Sequence, residues 1–161
     1  MPDLFHGPHE RLDVATFNIA MEYMKVHKPK LMYFGLGDTD EFAHAGVYDY
    51  YLDAVLKSDE WIKKIWNYIQ SDPFYANKTT LIITTDHGRG AAAGGNWKHH
   101  GSKIVGASEM WIAAIGPSIK PGGESKTKAQ LFQGQIASTI AKMLGYDFKP
   151  SHKVLDPLFV E

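Results

Sequence analysis

In Ile82-Ile83-Thr84-Thr85-Asp86-His87-Gly88, a β-branched apolar run passes without a spacer into an acid, an imidazole and a glycine. Residues 80–85 are rich in strand formers. They predict a buried strand that carries two potential metal ligands to its C-terminal tip, the rim where open α/β sheets place their sites. Two other segments answer it. Leu31-Met32-Tyr33-Phe34-Gly35-Leu36-Gly37 leads into Asp38-Thr39-Asp40-Glu41-Phe42-Ala43-His44, and Asn96-Trp97-Lys98-His99-His100-Gly101 adds further imidazoles. Together they point to a metal centre.

Around that rim the chain alternates between helical and extended patterns. Asp13 is placed to cap a helix over residues 14–27, with Phe17, Met21 and Met24 on one face and Pro29 closing it. Residues 31–36 are almost continuously apolar, the pattern of a strand covered on both faces. After Gly46 a helix is expected over residues 48–70, with Leu52, Val55, Leu56, Ile62, Ile65, Trp66 and Ile69 in phase. Strands at 80–85 and 109–115 flank a glycine-rich connection, and residues 120–128 read as a polar turn region. A last helix over 129–144 presents Phe132, Ile136, Ile140 and Met143, with Gly145 at C′. The tail from 146 to 161 is expected to be a loop with a short edge segment. This order predicts an α/β fold, a largely parallel sheet flanked by helices on both faces. Three strands are few for a free-standing doubly wound sheet, so an incomplete fold with an open edge is expected, and two copies could pair along that edge.

At 161 residues the chain has room for one domain and its core. Its net charge of −1 gives no basic surface for nucleic acid or anionic lipid. The absence of cysteine excludes disulfides and thiolate metal sites without fixing the compartment. No apolar run is long enough to cross a bilayer, and the first residues lack a signal-peptide pattern. A signal lying outside this sequence would make the protein periplasmic or extracellular, so localisation stays open.

Asp40 and His44 are spaced to share one face of a helical turn. Asp86 and His87 are adjacent, and a sharp turn at Gly88 would let both converge. His100 arrives from the long connection, with Gly101 permitting close backbone approach. Carboxylate plus imidazole is the donor set of zinc, manganese or iron, whereas an all-oxygen calcium shell has no need of these histidines. The set exceeds the three protein ligands usual for one catalytic zinc, so two divalent ions, zinc or manganese, are expected at ~4 Å spacing. His99 competes with His100 for the ligand position. Asp38 and Glu41 are either partners of the ligands or anions at a helix N-terminus. Thr85 is a strand residue that could also hydrogen-bond near the ligands. Lys98, His99 and Arg89 are candidates for contact with a substrate anion, the alternative being solvent-facing loop positions. His6 and His9 are read as surface histidines in an irregular lead-in.

Asp40-x-x-x-His44, Thr85-Asp86-His87-Gly88 and His100-Gly101 together resemble the alkaline phosphatase superfamily, which includes nucleotide pyrophosphatase/phosphodiesterases, cofactor-independent phosphoglycerate mutases and sulfatases. The likeness is strongest to alkaline-phosphatase-type phosphoglyceromutases, and it runs from the helix before Lys30 to Gln135-Ile136-Ala137-Ser138-Thr139-Ile140. By this resemblance Asp40, His44 and His100 would bind one metal, and Asp86 and His87 the second. His100 is preferred to His99 because the family's ligand directly precedes the glycine. The resemblance implies a metal-dependent phosphoric ester hydrolase or phosphotransferase acting on a small-molecule phosphate ester through a covalent phospho-Ser or phospho-Thr. A sulfatase-type enzyme acting on sulfate esters and a non-catalytic metal-binding fragment are the alternatives. Family members carry an earlier strand that ends in an Asp ligand, followed by the Ser or Thr nucleophile. Nothing before Asp13 reads as that strand, and Thr39 and Ser102 match no nucleophile position. The chain is therefore expected to be the C-terminal part of an alkaline-phosphatase-like domain, with no catalytic nucleophile of its own and little activity alone.

Overall fold

Phe17, Met21 and Met24 recur at helical spacing, and they form the buried stripe of α1 (Asp13–His27). The computed structural model describes residues 11–91, 93–126, 129–153 and 155–158, without the side chains of 93 and 94. His6 and His9, and the 127–128 part of the polar turn, lie outside the described residues. The chain divides into two compact units, the first holding the described residues up to Ala76 together with His87–Met110, the second Asn77–Asp86 and the described residues from Trp111 onward.

In the first unit, α1 is followed by α2 (Asp38–Ala45) and α3 (Tyr48–Ser71). Phe17 stacks on Trp61 with ring centroids 5.1 Å apart, and Met21, Met24, Ile65, Ile69 and Tyr75 fill the core around them. Each such side chain contributes roughly 1.5–3 kcal/mol by leaving water. The stack sets the rotation of α3. Trp61 and Ala54 face inward, while Leu52, Val55 and Leu56, expected on the apolar face, are 40%, 43% and 65% exposed. The Tyr75 hydroxyl donates to the carbonyls of Met24 (3.4 Å) and Pro29 (3.3 Å), and burial raises its pKa. α1 ends at Lys28, left-handed at φ 48°, one residue before Pro29. The Lys28 ammonium donates to the Tyr68 hydroxyl (2.9 Å) and pairs with Asp72, tying the C-terminal ends of α1 and α3 together.

Two expectations are corrected here. Asp13 does not cap its own helix: the N-cap position is Leu12, without a side-chain bond, and the Asp13 carboxylate instead bonds the start of α2. Residues 31–36 join no β-ladder among the described residues. Burial on both faces, which their apolar pattern suggested, is not found either: Leu31, Tyr33 and Gly35 are exposed, and Met32, Phe34 and Leu36 are half-buried.

The second unit contains β1 (Leu81–Thr84), β2 (Ile112–Ile115) and α4 (Gln135–Met143). The strands pair antiparallel, Leu81 opposite Ile115 and Thr84 opposite Ile112. The chain is thus α/β, but among the described residues its sheet is two-stranded and antiparallel rather than largely parallel. A parallel pairing needs a crossover, normally a helix. Among the described residues between these strands, the chain forms only a 3₁₀ turn (Ala93–Lys98). α4 starts later than expected and closes on Gly145 (φ 75°) with Gly145 N–H to Lys142 O (3.1 Å) and Tyr146 N–H to Ala141 O (2.8 Å), the paired bonds of a left-handed glycine cap. The described part of the tail forms no edge strand. It is held by α4 side chains instead: Ser138 Oγ donates to Leu155 O (2.7 Å), and Leu158 N–H donates to Thr139 Oγ1 (2.7 Å). Among the described residues no helix is long and apolar enough to cross a membrane.

Candidate metal centre

Asp38, Asp40 and Glu41 crowd the first turn of α2, where carboxylates meet the positive end of the helix dipole. The helical spacing brings Asp40 Oδ2 to 3.4 Å from His44 Nε2. Gly46, at φ 73°, ends the helix in the left-handed region through bonds from its own N–H to Ala43 O (2.9 Å) and from Val47 N–H to Phe42 O (3.0 Å). The Lys98 side chain lies against Gly46, which sets its ammonium at the negative end of α2.

His87 opens the glycine-rich connection, and His100 comes from further along it. Gly88 N–H donates to Ala107 O (2.8 Å), and a Cβ at Gly88 would run into the carbonyl oxygens of Gly106 and Glu109, so only glycine allows this approach. Gly90 N–H donates to His99 O (3.2 Å), bringing the segment before His100 back alongside His87. The two rings stack at 3.7 Å and 15°. His87 Nδ1 lies 2.9 Å from the carbonyl oxygen of Gly88. A carbonyl only accepts, so Nδ1 donates, and in the neutral ring Nε2 is the nitrogen with a lone pair for a ligand.

These elements converge. Asp40 Oδ1 lies 3.5 Å from His87 Nε2 and 3.7 Å from His100 Nε2, and His100 Nε2 lies 3.0 Å from His44 Nε2. Asp40, His87 and His100 each offer a ligand atom within 4.8 Å of the others. One carboxylate and two imidazoles is a donor set that divalent zinc, manganese or iron takes, and the residues fit such an ion. His99 stays exposed, its ring 6.4 Å from that of His44. Arg89 donates to Trp97 O (3.3 Å), to Asp40 O (3.2 Å) and to the Asp40 carboxylate. Burial lowers the Arg89 pKa from its ordinary value.

Asp86 belongs to the second unit, where Gln133 Nε2 donates to its backbone carbonyl (3.3 Å) and to that of Thr85 (3.4 Å). The Thr85 hydroxyl is buried and has no hydrogen-bond partner among the described residues, so the bond considered for it is not made. Asp38 accepts from Asp13 N–H (3.1 Å), and Glu41 stays in the first turn of α2. Asp13 was not among the expected site residues; its only local signal was its place at a helix start.

An α/β chain whose carboxylate and imidazole donors meet in a group able to hold a divalent ion belongs, by class, with metal-dependent proteins. The family model of the metalloenzyme superfamily matches residues 8–147, and the chain belongs to that superfamily, a member of the alkaline phosphatase superfamily. No curated protein and no solved structure matches the chain.

Proposed function

We propose that this chain carries the divalent-metal centre of a phosphoric ester hydrolase or phosphotransferase acting on small-molecule phosphate esters. The observation that carries this reading is the meeting of Asp40, His87 and His100 ligand atoms within 4.8 Å, in a chain of the metalloenzyme superfamily. Zinc or manganese suits the donors. Asp40, His44, His87 and His100 hold the first ion. Of the expected ligands only Asp86 is left for a second ion, so the first ion binds more tightly than the second. A bound ion supplies Lewis acidity for in-line displacement at phosphorus.

The chain's own groups do the rest. Asp40 offers one carboxylate oxygen toward His87 and His100 and the other toward His44. The bond between His87 Nδ1 and Gly88 O leaves Nε2 as the nitrogen that faces Asp40. Arg89, beside Asp40, presents planar donors that match a phosphate's oxygens, and Lys98 and His99 add charge and hydrogen bonding on the same connection. We assign no nucleophile within this chain.

Calorimetric titration of the protein with Zn²⁺ and Mn²⁺, alongside a chromogenic phosphomonoester and diester assay, tests the proposal. At least one ion should bind, lost on Asp40→Ala or His100→Ala, with feeble turnover. No binding would overturn the metal reading. Robust turnover abolished by Asp86→Ala would show that a nucleophile is present after all, and preference for a sulfate ester would move the activity to sulfatase chemistry.

A further inference from the structure

Asp13 is a charged residue only 2% exposed, and both of its carboxylate oxygens are engaged at one place. Oδ1 accepts from Gly37 N–H (2.8 Å) and Oδ2 from Asp38 N–H (2.9 Å), the N-cap and first residue of α2. In return Asp38 Oδ1 accepts from Asp13 N–H (3.1 Å), at the first residue of α1. Neither helix has a side-chain cap of its own; each takes one from the other. Two carboxylates this close would repel, but each faces the positive end of the other's helix.

α2 has eight residues, too few to hold its place by intrinsic helix stability. Its C-terminal end is closed by Gly46, and its N-terminal end is gripped by Asp13. Asp40 sits two residues beyond that grip, and His44 one turn further. We propose that Asp13 is a positioning residue for the metal centre, fixing where α2 presents the ligand atoms of Asp40 and His44. This rests on the metal reading above and adds to it a residue that never touches the ion.

The test uses the full chain and Co²⁺, read by calorimetry and by the visible d–d spectrum. Asp13→Asn keeps the shape but turns one acceptor into a donor facing an N–H, so Co²⁺ affinity should fall about tenfold or more with a changed spectrum. Met21→Ala, which thins the α1 core away from α2, should lower the denaturation midpoint yet keep wild-type affinity and spectrum. If Asp13→Asn does not fold, Asp38→Asn, altering the acceptor of the return bond at a half-exposed position, should weaken Co²⁺ a few-fold. Wild-type affinity and spectrum in the folded Asp13→Asn variant, or in Asp38→Asn used in its place, would overturn the proposal. So would an equal loss in Met21→Ala. A wild-type protein that binds no Co²⁺ overturns the metal reading itself, an outcome recognisable because no variant then differs.

Discussion

Gly88→Ala is the most direct perturbation of the way the connection brings His87 to His100. The added methyl would collide with the carbonyl oxygens of Gly106 and Glu109. Both obstacles are backbone, and they sit in a turn closed by Glu109 N–H to Gly106 O (3.0 Å), so relief requires the chain itself to move. Forcing a methyl into such a contact costs about 1–3 kcal/mol. Losing the 2.8 Å bond from Gly88 N–H to Ala107 O would add about 1 kcal/mol, for a total of about 2–4 kcal/mol. Gly122→Ala is the control. This glycine is exposed and an added Cβ meets nothing nearer than Lys120 O at 3.9 Å, so its effect should stay within about 0.5 kcal/mol. The assay is urea unfolding followed by tryptophan fluorescence, with and without saturating Zn²⁺. Gly88→Ala should unfold at lower urea and lose most of the Zn²⁺-induced stabilisation, because any relief shifts His87 out of its 3.7 Å stack on His100. A Gly88→Ala protein with wild-type midpoint and wild-type Zn²⁺ response would refute the claim that this crossing holds the two imidazoles together.

Two further predictions concern the packing outside the ligands. Thr139→Val keeps the shape at a position 1% exposed but removes the acceptor of Leu158 N–H, so chemical denaturation should show a loss of about 1–3 kcal/mol with little change in metal binding. The bond from Lys28 holds the Asp72 carboxyl below its ordinary value, and the bond to Asp72 raises the Lys28 ammonium above its own. Stability from Asp72 is therefore complete above the ordinary carboxylate range and lost as pH falls through its lowered value. Stability from Lys28 is complete below about pH 10.4 and lost as pH rises through its raised value. Thermal unfolding from pH 2 to 11 should show both flanks, and Asp72→Asn should flatten both; an unchanged profile in that variant would refute the link.

The candidate donors were legible because donor chemistry belongs to the residue. Asp40 and His44 announce themselves by spacing, and α2 is helical where that spacing required it. His87 and Gly88 follow a β-branched run that does form β1. The bounds of α1 and α3 and the Gly145 stop were legible for the same reason, since propensity and positive φ act within a few residues, whereas α4, expected over 129–144, spans Gln135–Met143. Strand direction was not, because it depends on the connection, and a glycine-rich stretch without a long helix returns the chain antiparallel where alternation suggested a crossover. The inward face of α3 was read correctly at Ile65 and Ile69 but misread at Leu52, Val55 and Leu56, because a single ring stack, Phe17 on Trp61, outweighs these three smaller aliphatic residues in setting the helix's rotation there.

Asp13 shows the deeper limit. Its place at the start of α1 correctly marks a helix start, since Asp favours such positions. The N–H groups it serves belong to another helix, 24 and 25 residues further on. A carboxylate satisfies whichever orphan donors packing brings to it, and packing is a property of the pair of helices rather than of either sequence. The ligands of a metal centre can thus be read one segment at a time, whereas the groups that aim them emerge only when segments meet. In this protein the two are joined at the first turn of α2, where Asp13 grips the backbone two residues before Asp40.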